Sequence, residues 1–243
     1  MKKNILVVIM VLLFSICIPI SAYAQNTDER SSYQAVLDEL NAKYGTNMRL
    51  ATEEEKALYI NKAIIDCYSK EYGVDFQSVE EILEYPEVEK NIPSFEEWAA
   101  DMRQTAKEIS QRKAIEKNQT NVRDFYQRVN SIMAIDVTRT TTMNYGGETY
   151  GGTMNGSVEP NSNGTLLWVG FNNADVTDCG PNKRYFAMYP ENQGGCIWNF
   201  EDYRTICHVA FGGDIMDLRN PGYPSLVESG VKLHAYFQSG QVN

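Results

Sequence analysis

The stretch Cys196-Ile-Trp-Asn-Phe-Glu-Asp-Tyr-Arg-Thr-Ile-Cys207, followed at once by His208-Val-Ala-Phe-Gly-Gly213, decides how the second half of the chain is read. Aromatic and β-branched residues flank a polar break at Glu201-Asp202, which is the pattern of two strands joined by a tight turn. A two-residue turn at that break pairs 200 with 203, 198 with 205 and 196 with 207. Cys196 and Cys207 then lie opposite each other, at a Cα separation of about 5.5 Å that a disulfide tolerates. The expectation is a β-hairpin pinned by a Cys196–Cys207 bridge. Pairing of Cys179 with either of them stays open.

Working outward, the same texture continues on both sides. Turn signals recur at Gly146-Gly147, Gly151-Gly152, Asn155-Gly156, Asn163-Gly164, Gly180-Pro181, Gly194-Gly195, Gly212-Gly213 and Pro221-Gly222. Candidate strands lie between them at 132–144, 165–171, 183–189, 196–201, 203–211 and 230–238. Short strands with frequent turns suit an antiparallel sandwich rather than a parallel sheet, which needs crossover helices. The last strand alternates: Val231, Leu233, Ala235 and Phe237 are placed on the core side, and Lys232, His234 and Tyr236 on the other.

Upstream of residue 130 the composition changes. Residues 25–130 hold 35 charged residues in 106, against 17 in the 113 that follow, and only two of the 17 glycines, Gly45 and Gly73, precede Asn130. Charge-rich, glycine-poor sequence suits helices. Tyr33, Val36, Leu37, Leu40 and Tyr44 share one helical face. Three capping boxes, Thr52-x-x-Glu55, Ser78-x-x-Glu81 and Ser94-x-x-Glu97, each predict a helix start, because the hydroxyl takes a backbone N–H while the glutamate reaches back. The third opens a helix read through to about residue 129. The predicted organisation is α+β: a helical segment over 25–130 followed by an antiparallel, sandwich-like β domain over 131–243.

The first 24 residues have the three parts of a secretory leader. Lys2 and Lys3 precede the apolar run Ile5 to Ile20, and Ala22-Tyr23-Ala24 supplies the small-x-small site, so cleavage is expected after Ala24. The remaining 219 residues contain no second run long enough to span a bilayer, which predicts no transmembrane anchor. They carry 20 basic and 32 acidic residues, a net charge of −12. Without a basic cluster, that balance argues against nucleic acid as a partner. An exported chain meets oxidising conditions, so the four cysteines left, Cys67, Cys179, Cys196 and Cys207, are read as disulfide formers.

Signatures of catalysis are sparse. The chain has two histidines, and Cys207 and His208 are strand neighbours that point to opposite faces. A hydrolase reading would place His234 beside Asp178, Asp214 or Asp217, or beside Cys179 or Cys196. There is no phosphate loop, HExxH or Gly-x-Ser-x-Gly elbow. Asp175 and Asp178, in the oxygen-rich run Asn172 to Asn182, could serve calcium, although Asn and Asp also crowd ordinary turns. Tyr145 and Tyr150, in a glycine-rich strip taken as an exposed loop, join His234 and Tyr236 as candidate ligand contacts. Trp168 and Trp198 are assigned to the core. The function expected from the sequence is a non-enzymatic binding module outside the cell, for a protein partner or a surface polymer.

Overall fold

In the computed structural model of the chain, residues 29–116, 134–177, 179–180, 182–190 and 194–240 are described. The expected leader and its cleavage site, the predicted continuation of the long helix beyond Glu116, and Asp178 lie outside them. Helix α1 (29–44) buries Tyr33, Val36, Leu37 and Leu40 on the face its spacing predicts. Asn41 fixes the exit: its side-chain carbonyl accepts the Met48 N–H at 2.7 Å while its amide donates to Met48 O at 2.7 Å. This steers the chain into the short strand β1 (Arg49–Leu50).

Helix α2 begins at the Thr52 cap, where both bonds of the capping box are present. It runs through Glu53–Glu55, a π-helical turn over Lys56–Ile60, and Asn61–Tyr72. The extra residue in a π turn shifts the helix face, and here Leu58 is left 78% exposed. Helix α3 (Val79–Leu83) starts at the Ser78 cap, and α4 (Pro86–Glu89) has Pro at its first turn, where no N–H is missed. Helix α5 (Phe95–Glu116) starts after the third box, with Ser94 and Glu97 bonded as predicted. Its buried residues Trp98, Ala99, Met102, Ala106 and Ile109 form one stripe.

Eight strands follow the helix-then-strand order of the sequence, with β1 as the early exception. Strands β2 (Ile135–Tyr145), β3 (Glu148–Pro160) and β4 (Leu166–Thr177) form a three-stranded antiparallel sheet. The second sheet runs β1, β8 (Ser225–Gln238), β7 (Ile206–Asp217), β5 (Arg184–Met188), with β6 (Cys196–Glu201) also paired to β7. Val209, Phe211, Val231, Leu233, Ala235 and Phe237 of one sheet share a core with Met143, Tyr150, Met154, Val158 and Trp168 of the other. The Trp168 indole donates to Phe237 O at 3.1 Å, so the ring buries fully without an unmet donor. Trp198 is only partly buried and stacks on Phe171 at 4.9 Å.

The helices complete this core. Residues of α1 and α5 belong to the same buried cluster as both sheets. A second cluster joins α2, α3 and α4 to Met216, Leu218 and Leu226 at the far end of β7 and β8. The fold is α+β, with the helical segment packed against sandwich-like antiparallel sheets.

Two expectations are corrected. The hairpin of β6 and β7 closes through a 3-10 turn, Asp202–Arg204, with Glu201 opposite Ile206 rather than through two residues. The longer loop moves the register by four, so Cys196 faces Phe211 and Cys207 faces Phe200. Cys196 and Cys207 are therefore not cross-strand partners, and burial pushes the Cys207 thiol up to about 12. The disulfide is instead Cys67–Cys179, with Cα atoms 6.0 Å apart, joining α2 to the segment before β5. The glycine-rich strip also proves to be a strand. Gly151, Gly152 and Gly156 lie inside β3, and only Gly146-Gly147 makes a turn.

Candidate functional site

That turn builds one wall of a polar pocket of about 240 Å³. Tyr145 and Glu148 are the last paired residues of β2 and β3, and Gly146 and Gly147 between them have φ of +59° and +81°. Two successive positive φ values define the hairpin turn that matches strand twist, and glycine adopts them without strain. The opposite wall is the polar face of α5, where Asp101, Thr105 and Arg112 lie away from the Trp98–Ile109 stripe. Arg184 at the start of β5, Arg219 just past β7, and Glu228 of β8 close the site.

Each arginine of the site is held by carboxylates. Arg219 grips Asp217 through Nε at 3.0 and 3.2 Å and Nη2 at 2.6 Å, and reaches Asp101 at 2.6 Å. Arg184 Nη2 donates to Asp101 at 2.8 Å and to Thr105 at 3.3 Å, while its Nη1 stands 3.6 Å from Asp217. Burial pushes the Asp217 carboxyl up, but Arg184 and Arg219 together outweigh it and hold it below the usual carboxylate range. Arg112 donates to Glu228 at 2.7 Å and lies over the Tyr145 ring at 4.6 Å. Burial, then the Glu228 charge, raises Tyr145 to about 12. Glu148 accepts from the Asn182 side chain at 2.7 Å and from its backbone N–H at 3.3 Å.

Three polar atoms are buried without a hydrogen-bond partner among the described residues: Arg112 Nε, Tyr150 Oη and Arg184 Nη1. All three residues line this one pocket, and they come from three separate elements, α5, β3 and β5. An unmet buried donor costs about 1–3 kcal/mol, so three around a single space are not a by-product of packing.

The other predicted residues are dispersed. Tyr150 is fully buried rather than on an exposed loop, because β3 turns its side chain inward beside Phe186. His234 and Tyr236 lie on the outer face of the larger sheet. There His208 bonds His234 at 2.9 Å and Glu201 at 3.2 Å and stacks on Tyr236 at 4.5 Å. Glu201 reaches this histidine pair through His208; Asp214 bonds Gly230 and the Tyr189 hydroxyl, and Asp217 is held in the arginine cluster. Asp175 belongs to β4 and accepts the Val176 N–H at 2.8 Å. Among the described residues no group of three His, Cys, Asp or Glu side chains is placed to hold a metal ion.

A larger hollow of about 660 Å³ lies beside the disulfide, lined by Leu58, Tyr59 and Tyr185 with Lys62, Asp66, Lys183 and Glu71. Its charged groups are paired as Lys62–Asp66 and Lys183–Glu71, and none of the three unmet donors faces it. The smaller, polar pocket therefore carries the stronger functional signal.

No protein-family model matches the chain, and no curated protein or solved structure is significantly similar to it.

Apart from Tyr145, Tyr150, the Gly146-Gly147 turn and Asp217, which was named only as a partner for His234, the site's residues were not singled out by the sequence. Asp101, Thr105 and Arg112 occupy polar positions of an amphipathic helix, which usually face water. Glu228 breaks the apolar run Leu226-Val227, and Asp217-x-Arg219 follows an apolar strand. Charges set within apolar runs are the sequence-level signal for this site.

Proposed function

We propose that the chain is an exported binding module whose polar pocket, between α5 and the two sheets, takes a small oxygen-bearing ligand. The observation that carries this reading is that Arg112 Nε, Tyr150 Oη and Arg184 Nη1, three buried groups without hydrogen-bond partners among the described residues, belong to residues lining one concave space. Sites for small molecules are concave and orient their ligands with a few fixed polar groups. Export is supported by the leader over residues 1–24 and by the Cys67–Cys179 disulfide, which suits an oxidising compartment. Cleavage after Ala24 would leave Gln25 as the N-terminus of the released protein. The described residues contain no helix long and apolar enough to cross a membrane.

The test is thermal melting of the exported, leader-free protein against a library of sugars, sugar acids, amino acids and nucleosides. A ligand at a hundredfold its Kd should add about 2.7 kcal/mol of stability. The same ligand should lose most of that gain with Tyr150→Phe, which keeps the ring and removes the hydroxyl. Ligands that stabilise wild type and Tyr150→Phe equally would move the site elsewhere.

A further inference from the structure

The pocket has a second unmet demand, of opposite sign to the first. Glu148 is 6% exposed and lines the same wall. Its oxygens accept from the Asn182 amide groups, and among the described residues no lysine or arginine makes an ion pair with it. Asp101 and Asp217 have Arg184 and Arg219, and Glu228 has Arg112, while the less deeply buried Glu108 accepts from the Gln104 amide at 2.7 Å. A carboxylate taken out of water is stabilised further by a positive partner than by hydrogen bonds alone. Gly180 lets it sit this deep: a methyl group there would come within 2.5 Å of Glu148 Oε2.

The charge balance of the walls points the same way. Asp101, Glu108, Glu148 and Glu228 line the pocket against Arg112, Arg184 and Arg219. A purely anionic guest would face four negative charges and three positive ones that are already paired. A guest bringing its own positive charge would complete Glu148. The donors at Arg184, Arg112 and Tyr150 ask for an oxygen acceptor, and only the tyrosine hydroxyl among them can also accept. The two demands are close together, since Glu148 and Tyr150 stand two residues apart on the same buried face of β3.

Resting on the reading that this pocket is a ligand site, we propose that it recognises an ammonium with an oxygen acceptor on the neighbouring carbon: an α-amino acid or the amino end of a peptide. The ammonium sits against Glu148, and the carboxylate or carbonyl oxygen takes the donors of Tyr150, Arg184 and Arg112. About 240 Å³ holds one residue of that kind and no large polymer segment.

Calorimetry on the leader-free protein tests it, with four probe sets: the common L-amino acids, their dipeptide amides, their N-acetyl derivatives, and acetate. The expected result is binding by the first or second set, at least tenfold weakened by N-acetylation and at least tenfold by Glu148→Gln. Free amino acids alone identify a metabolite site; dipeptide amides identify a peptide-end site. Near-UV circular dichroism establishes that Glu148→Gln is folded, and Tyr150→Phe gives a second reading from the donor side. Equal binding of the N-acetyl compounds, or of acetate, overturns the ammonium assignment. Silence from all four sets while some other compound binds in a Tyr150-dependent way overturns this inference and leaves the pocket reading standing. Silence with no Tyr150-dependent ligand of any class overturns both.

Discussion

The helical segment meets the β sheets along two seams of opposite character. On one, α2, α3 and α4 press Ile60, Ile64, Tyr68 and Ile82 against Met216, Leu218 and Leu226, and the Cys67–Cys179 disulfide fastens the joint. Its one deeply buried hydroxyl, Tyr68, donates to the carbonyls of Leu218 and Arg219 at 3.1 Å. On the other, α5 offers Asp101, Thr105 and Arg112 to a network of arginines and carboxylates with three donors unmet. The first seam is built to hold. The second gives up stability at buried polar groups, which is the usual mark of a surface shaped for something other than holding.

The contrast can be broken or sharpened by measurement. Asp217→Ala should have the largest effect, about 3–5 kcal/mol by urea unfolding, because it removes the most deeply buried carboxylate of the network and leaves Arg184 and Arg219 to share the half-exposed Asp101 alone. A loss below about 1 kcal/mol would mean that the network is solvated and the contrast overstated. Acid reaches the same point. The Asp217 carboxyl is held below its unfolded value of about 3.9, so its contribution is full above that pH and fades as pH falls through the lower folded value. Glu55, lowered to about 2 chiefly by its bond to Arg49, fades over the same range. Unfolding midpoints should therefore be flat in pH from these groups near neutrality and drop below about pH 4; a flat profile down to pH 2 would contradict both assignments.

Removing the covalent fastening, by Cys67→Ser or by reduction, should cost about 2–4 kcal/mol, since the bond closes a loop with a sequence separation of 112. An unchanged urea midpoint after reduction would show the dry seam holding by packing alone. The finest comparison uses one substitution twice. Tyr68→Phe deletes a satisfied buried hydroxyl and should cost about 1 kcal/mol. Tyr150→Phe deletes an unsatisfied one and should be neutral or slightly stabilising without ligand. Equal losses at both positions would mean that the Tyr150 hydroxyl is satisfied in solution and that its demand on a ligand is smaller than inferred.

Much of the fold was legible because it rests on local rules. Each capping box marks a helix start through bonds made within four residues; the Thr52 and Ser94 boxes have both bonds, while at Ser78 the hydroxyl bond is made and Glu81 reaches one residue further back, to the Gln77 N–H. The alternation of β8 survives intact, with Val231, Leu233, Ala235 and Phe237 buried and Lys232, His234 and Tyr236 outside. The misreadings share a different cause. Taking Gly151, Gly152 and Gly156 as turns hid β3, because a glycine in a strand is explained by what packs on it and not by its neighbours in sequence. Gly152 has the Met143 and Phe237 side chains against it. The disulfide was missed for the same reason, since proximity of Cys67 to Cys179 is a property of how α2 docks. Arg112, Arg184 and Glu148 were invisible as a site because each looks ordinary alone. Only the joining of α5, β3 and β5 makes their unmet bonds a common demand.

The disulfide also gives the chain the topology of a closed ring with two tails. Asp101, Arg112, Tyr145, Glu148 and Tyr150 lie within the ring, and Arg184, Arg219 and Glu228 lie on the C-terminal tail. A protease that cuts one peptide bond between residues 68 and 178 opens the ring but releases nothing. The two pieces stay tethered through sulfur, with both sets of pocket walls on one molecule.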